Sequence, residues 1–319
     1  MENPEKNHGK SKWRLWIERL ASLLVALLLA FSVTSTGRAF WHELFALSGF
    51  QGPTEEASLE IHIIDVGKAD AMLLRCEGMT ALLDAGTTVS GDRVVDYLYR
   101  MGVEQLDYVI ASHPDSDHTG GIAQVLEELP VNELVVYPWP EEMRQTLEYR
   151  AVEQAALLTG TTIREVQPGD KLLLGKADFQ VIGPLKDYEE TNDSSLVMRL
   201  DYLGFSALFC GDIENKAELD LVKSGVDLDV DFLKVPHHGS AGSCSERFLS
   251  AVSPEYAAIS VGPDNNQLPR EETLRRLENA GAAIYRTDTD GDLVFSWDGE
   301  QLTLKSEYHN TLERTEGNP

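Results

Sequence analysis

Ten residues constrain this chain more than any others. Positions 112–121 read SHPDSDHTGG, between the apolar run DYVIAS (107–112) and a stretch of helical spacing at 119–129. Four side chains able to ligate a metal, His113, Asp115, Asp117 and His118, fall within six residues. A loop at a strand's end can turn all four toward one pocket. Helix capping explains less of the pattern: one Asp or Ser suffices as a cap, and Pro suits a helix start, but two His and two Asp exceed that need. Gly120 and Gly121 would let the helix N-terminus approach closely, having no Cβ.

Two later segments repeat the design. LFCGDIE (208–214) is an apolar strand ending in Gly-Asp, and FLKVPHHGS (232–240) is another ending in paired histidines. Alone, Asp212 reads equally well as a cap, and His237 and His238 as turn or core residues. Together they say more. Four of the chain's eight His lie in the first and third clusters, and every cluster closes an apolar run. That placement predicts distant ligands converging at one rim of a sheet structure.

The body alternates strand-like and helical stretches from Leu59 onward. Strands are expected at 59–66, 71–76, 80–85, 107–112, 133–137, 179–183, 195–202, 205–210, 231–235, 257–260, 283–286, 292–297 and 301–305, where β-branched and aromatic residues end at Gly, Asp or Pro. Helices are expected at 91–101, 119–129, 141–159, 214–224, 245–252 and 270–280; the last begins after Pro269, carries two Glu in its first turn and stops at Gly281. The mixture predicts an α/β fold in which two mixed sheets pack face to face with helices outside.

Charge narrows the partners. The chain has 27 Lys+Arg and 53 Asp+Glu; removing the six bases and three acids of residues 1–40 leaves 21 against 50. So acidic a body does not draw polyanions over long range, although a local basic groove or bridging metals could still receive one. The three cysteines, Cys76, Cys210 and Cys244, form no C-x-x-C pair and read as buried thiols.

The N-terminus reads as a separate device. Residues 20–37 carry no charged side chain, and 20–33 read LASLLVALLLAFSV. Eighteen helical residues span about 27 Å, close to the ~30 Å hydrocarbon core. Trp13 and Trp16 precede the run, Phe40 and Trp41 follow it, and Lys6, Lys10, Lys12 and Arg14 sit on its N-terminal side. Aromatic flanks and the positive-inside rule predict a single-pass anchor with residues 1–19 cytoplasmic and the body outside. A cleaved signal, giving a secreted body, is the competing reading, although no clean A-x-A site follows. Residues 38–58 then form a linker, 59–306 the main domain and 307–319 a flexible tail.

The ordered set IIDVGKADAMLL, LLDAG, SHPDSDHTGG, NDSSLVMRL, FCGDIE, LKVPHHGS, ISVGPDNN and IYRTDTDGDL, between about 59 and 297, resembles the metallo-β-lactamase-fold domain of the DNA-uptake competence protein ComEC and its stand-alone relatives. The resemblance implies an αβ/βα sandwich holding two divalent metal ions, Zn or Mn. It assigns His113 and Asp115 to one metal, Asp117 and His118 to the second, Asp212 as a bridge, and His237 or His238 as the ligand completing the second metal. The remaining histidine could handle substrate or a proton, which makes Asp117, His237 and His238 the candidate catalytic groups. An Asp stands where the superfamily's second His is usual, and that extra carboxylate favours harder ions such as Mn²⁺. The superfamily's separate third His has no counterpart; Thr191, Asn192 and Asp193 lie near its place. After Asn265-Asn266 the chain reads QLPR, without the His that relatives often carry there. Asp65, Lys68, Asp70 and Asp84 are candidates to support the ligands or meet substrate, with turn formation and strand-end capping as their structural alternative. Lys68 could offer a point charge to a phosphate.

The implied chemistry is hydrolysis by metal-activated water, since no Ser or Cys nucleophile motif is present. A phosphodiester substrate is expected, either single-stranded DNA or an ester of the cell envelope. The alternatives are a lactonase or thioesterase of the same fold, and a non-catalytic envelope module. Fold alone does not choose among them, and the sequence leaves the oligomeric state open.

Overall fold

The computed structural model describes residues 59–262 and 267–308, with Trp16, Arg19, Leu20, residues 22–24, Leu27 and Phe31 before them. The chain divides into two units, Met1–Gly52 and Pro53–Pro319. In the first, the described residues are helical and exposed. Most of the segment read as an anchor (20–37), the linker at 38–58, nearly all of 1–19 and the tail beyond Tyr308 lie outside the described residues. Among those described, no helix is long and apolar enough to cross a membrane.

The second unit begins with a meander: β1 (Leu59–Ile63), β2 (Ala71–Cys76) and β3 (Met79–Ala85). There follow α1 (Gly91–Arg100), β4 (Leu106–Ile110), α2 (Ser116–Thr119), α3 (Ile122–Glu128), β5 (Val131–Val136), α4 (Leu147–Thr159) and β6 (Thr162–Glu165). A second meander, β7 (Lys171–Leu174), β8 (Ala177–Gly183), β9 (Val197–Tyr202) and β10 (Phe205–Phe209), leads to α5 (Asn215–Ser224), β11 (Phe232–Lys234), α6 (Glu246–Val252) and β12 (Tyr256–Ile259). The chain closes with α7 (Glu271–Asn279), β13 (Ala283–Arg286), α8 (Thr287–Asp290), β14 (Leu293–Trp297) and β15 (Leu302–Ser306).

Both sheets follow one plan. The first has the order β15-β14-β1-β2-β3-β4-β5-β6, and the second β13-β12-β11-β10-β9-β8-β7. In each, antiparallel hairpins lead into strands that run parallel: β3 to β6 in one and β10 to β13 in the other. Parallel neighbours need a crossover, and helices supply it. The ends of parallel strands beyond which the chain turns into a crossover are where ligands bind in open α/β sheets, and the three predicted clusters lie there.

Side-chain alternation builds the layers. Along β1, Leu59, Ile61 and Ile63 face the space between the sheets; along β9 and β10, Met198, Leu200, Tyr202, Ala207 and Phe209 do so from the other side. Phe179, Phe209, Phe232 and Phe295 pack edge-on or tilted through this central layer, with centroids 4.9–6.2 Å apart. The opposite face of the first sheet, including Leu73, Leu82 and Val109, buries α1, α3 and α4. Leu208, Leu233 and Ile259 do the same for the helices of the second. This is the predicted sandwich of two mixed sheets with helices outside.

Local departures have local causes. The helix expected over 141–159 starts only at Leu147, because Thr146 is extended and its side chain caps Tyr149 N–H. Before it, Met143–Gln145 is a single 3₁₀ turn. The helix expected over 119–129 is two pieces, α2 and α3, joined at Gly120 and Gly121. A Cβ on Gly121 would stand 2.2 Å from the Ala85 carbonyl oxygen, and one on Gly120 2.4 Å from the Thr88 nitrogen. The close approach expected of these glycines is therefore made against the loop after β3. Two strands, β6 and β7, had not been expected.

Candidate metal centre

Each cluster is aimed by its own strand end. β4 runs out at Ile110, and the next residues, Ser112 and His113, are buried. Asp115 is extended and α2 starts at Ser116, so Asp117 and His118 fall on its first turn. β10 ends before Gly211, whose missing Cβ leaves room for Ser195: a Cβ there would lie 2.7 Å from that of Ser195. The Ser195 hydroxyl in turn accepts the Asp212 N–H at 3.1 Å. After β11, His237 and His238 both take left-handed backbone, φ 48° and 51°. Non-glycine residues held so cost about 1–3 kcal/mol each and gather at functional sites.

The imidazoles share one design. The Nδ1 atoms are anchored: His118 to Asp84 Oδ2 at 2.8 Å, His113 to the Ser112 hydroxyl at 3.1 Å, His238 to the Ser260 carbonyl at 2.9 Å, and His237 to Glu214 Oε1 at 2.9 Å. Their Nε2 atoms then face inward around Asp212, at 3.2 Å for His118, 3.8 Å for His238, 3.9 Å for His237 and 4.0 Å for His113. Histidine ligands to metals are typically held in this way, with the second nitrogen bound to a carboxylate, carbonyl or other partner. Asp115 lies 3.8 Å from His113 Nε2, and Asp117 lies 3.6 Å from His238 Nε2.

Two observations show that the set suits cations. Nε2 of His113 and His238 are buried without hydrogen-bond partners, and Nε2 of His118 and Oδ1 of Asp212, 3.2 Å apart, make no hydrogen bond beyond that ion pair. An unsatisfied buried polar group costs about 1–3 kcal/mol, yet two converge here on that pair. Charge gives the second. Asp70, Asp84, Asp115, Asp117 and Asp212 face the cluster, and the ammonium groups paired with them are Lys234, 2.7 Å from Asp70, and Lys68, 2.7 Å from Asp117. Two largely buried groupings can hold an ion, His113–His118–Asp212 and Asp117–His118–His238. A third, Asp70–Asp84–His118, lies on the Nδ1 side of His118 and supports it from behind.

Of the other sequence candidates, Asp84 is the firmest support. It accepts the Ser112 N–H at 2.8 Å and hydroxyl at 2.6 Å while holding His118. Asp70 reaches the Nδ1 side of His118 and His238 at 4.0 and 3.7 Å. Lys68 donates to Asp117. Asn192 puts its amide nitrogen 3.4 Å from His237 Nδ1. Asp193, beside it, instead accepts the Glu214 N–H at 3.0 Å at the start of α5. Asp65 serves its turn, accepting the Gly67 N–H at 3.1 Å, and does not join the cluster. Asn265 lies outside the described residues. Sequence reading passed over Ser112, Glu214 and Lys234. Lys234 carried a signal, a lysine within the apolar run FLKV.

Protonation is uneven. Burial pushes His113 down to about 4, with the charge on His118 adding to the effect. Burial also works against a charge on His118, but Asp212 and Asp84 outweigh it and hold the imidazole well above the usual histidine range. Asp212 stays well below the carboxylate range despite its burial, through His118 and His238. Asp212 and Asp84 thus favour the protonated ring of His118 in the metal-free chain, and an ion on its Nε2 competes with that proton. Metal affinity should fall as pH drops and rise as pH climbs toward the raised His118 value. Calorimetric titration with Mn²⁺ at pH 7, in buffers of differing ionisation enthalpy, should show about one proton released per chain. A buffer-independent heat would contradict this.

With fold and geometry established, comparison with known proteins places the chain. A family model described as the metallo-beta-lactamase superfamily matches residues 64–262, and the chain belongs to that superfamily. Within it, the chain is similar to ComE operon protein 3 of Bacillus subtilis (strain 168), 31% identical over 258 residues, covering 75% of this chain and 33% of that protein. It is likewise similar to competence protein ComA of Neisseria gonorrhoeae, 32% identical over 256 residues, covering 78% and 34%. The chain spans about a third of the length of these curated relatives. Among solved structures, the metallo-beta-lactamase fold protein YhfI from Bacillus subtilis matches with a TM-score of 0.50 at 13% identity, covering 73% of this chain and 98% of that one. That likeness shows the fold.

Proposed function

We propose that the chain is a two-metal phosphodiesterase acting on the outer side of a membrane. The observation that carries the hydrolase reading is the convergence of orphaned histidine Nε2 atoms on Asp212. Divalent ions held there would polarise a phosphoryl oxygen and lower the pKa of a bound water from 15.7 toward ~7. The chain's own residues do the rest. Ser112, Asp84 and Ser260 fix the rings of His113, His118 and His238. Asp115 and Asp117 supply carboxylates beside His113 and His238, and this mixed nitrogen and oxygen set makes Mn²⁺ a rival to Zn²⁺. Lys68, partly exposed beside Asp117, offers a positive charge to a phosphate oxygen at the mouth.

The choice of a phosphodiester rests on likeness to proteins named for competence. Single-stranded DNA is the first substrate to try, and small envelope diesters the second. The charge excess of 53 acids over 27 bases leaves metal ions, with Lys68, as the contacts for any such anion. Anchoring rests on the apolar stretch at 20–37 with its basic and aromatic flanks.

The test is a panel of single-stranded DNA, small phosphodiesters, a lactone and a thioester, each with Mn²⁺ or Zn²⁺. Phosphodiester cleavage is expected, falling at least ~10³-fold in His113→Ala as transition-state charge loses its support. DNA cleavage identifies a nuclease, and cleavage of small diesters alone an envelope enzyme. Turnover of only the lactone or thioester refutes the proposal.

A further inference from the structure

We propose that the paired histidines are divided between the two metal positions, with His237, oriented by Glu214, taking the place of the superfamily's missing third histidine. The inference rests on the two-metal reading above but not on the substrate.

His238 belongs to the Asp117–His118 side. It is fully buried, its Nε2 lacks a partner, and it forms a ligand group with those two residues. His237 faces elsewhere. Its ring is turned 69° from that of His238, with centroids 6.2 Å apart. Its Nε2 nonetheless approaches Asp212 Oδ2 at 3.9 Å, the oxygen that His238 and His113 approach at 3.8 and 4.0 Å. Consecutive left-handed residues make this divergence possible: two strained positions in a row give adjacent imidazoles different orientations beside one carboxylate.

The anchor distinguishes His237 from a surface histidine. Glu214 holds Nδ1 at 2.9 Å and also accepts the Ser240 hydroxyl at 3.3 Å. A carboxylate on Nδ1 fixes the tautomer that leaves an Nε2 lone pair for a cation. His118 and His238 likewise set Nδ1 against an acceptor, the Asp84 carboxylate and the Ser260 carbonyl. Asn192, in the segment where the separate histidine would stand, lies against His237. The imidazole that segment lacks is thus supplied from across the site, on the His113–Asp115 side.

Metal content of the full-length chain tests this without any substrate. The variant is His237→Asn, because Asn tolerates left-handed backbone while removing the imidazole. After loading with Mn²⁺ and dialysis, the parent should hold two ions per chain, with the electron paramagnetic resonance spectrum of a coupled pair. His237→Asn should hold one, with an isolated-ion spectrum. Glu214→Gln should bind one of its two ions about 10–100-fold more weakly, the usual effect of losing a partner behind a ligand. Two ions bound at parental affinity in both variants would overturn the proposal and leave the phosphodiesterase reading intact. Fewer than two in the parent would overturn both. Two ions in the parent without phosphodiester cleavage would sink only the substrate reading.

Discussion

Replacing Asp212 by asparagine should abolish hydrolysis, lowering the rate by at least ~10³-fold, and strip tightly held metal from both positions. One carboxylate stands against four imidazoles, with every Nε2 within 4.0 Å of it. Its loss removes a shared ligand and the negative charge that binds the two positions together, and metal centres contribute several kcal/mol to transition-state stabilisation. The metal-free fold should tolerate the change, since His118 keeps its bond to Asp84. Melting curves separate these effects. Without metal, parent and variant should melt within a few degrees of each other; with metal, only the parent should rise, because a ligand that binds the folded state stabilises it. Parental turnover in Asp212→Asn would remove the site from the chemistry.

The second large effect is on stability. Lys234→Met should cost about 3–5 kcal/mol, because it leaves a buried carboxylate without its cation. Lys234 and Asp70 are both fully buried, their charged atoms 2.7 Å apart, and the ammonium also donates to the Val235 carbonyl at 3.2 Å. Asp70 Oδ1 already lacks a partner. At about 2–4 °C per kcal/mol for a domain of this size, melting should fall by roughly 10 °C. Adding Asp70→Asn to Lys234→Met should recover most of the loss, since removing both charges is far cheaper than removing one. A single variant that melts with the parent would show that the pair carries no such energy.

What could be read in advance follows from how local each signal is. The His113–His118 cluster, the Asp212 strand end and the histidine pair each sit in one short segment, and their position at strand ends is visible in the run of residues. The division of His237 from His238 is not local: it depends on Glu214 from one segment, Ser260 from another and a left-handed turn that nothing in PHHGS demands. Lys234 stands among apolar neighbours, and only the loop bearing Asp70 explains it. The strands β6 and β7 hid for a different reason. β6, TIRE, lies at the sheet edge with its side chains largely exposed, so no apolar stripe marks it. β7, KLLL, alternates buried and exposed leucines that look alike in sequence. The two glycines after His118 were readable as allowing close approach, but what they approach, the Ala85 carbonyl and the Thr88 amide, is set by tertiary packing.

The most direct test is anomalous diffraction at the manganese edge from crystals grown with Mn²⁺. The expected map holds two peaks flanking the Asp212 carboxylate, one beside His113 and Asp115 and one beside Asp117 and His238. A map with no peak there, or with the ions bound only at the acidic surface, would contradict the assignment of this rim as a metal centre.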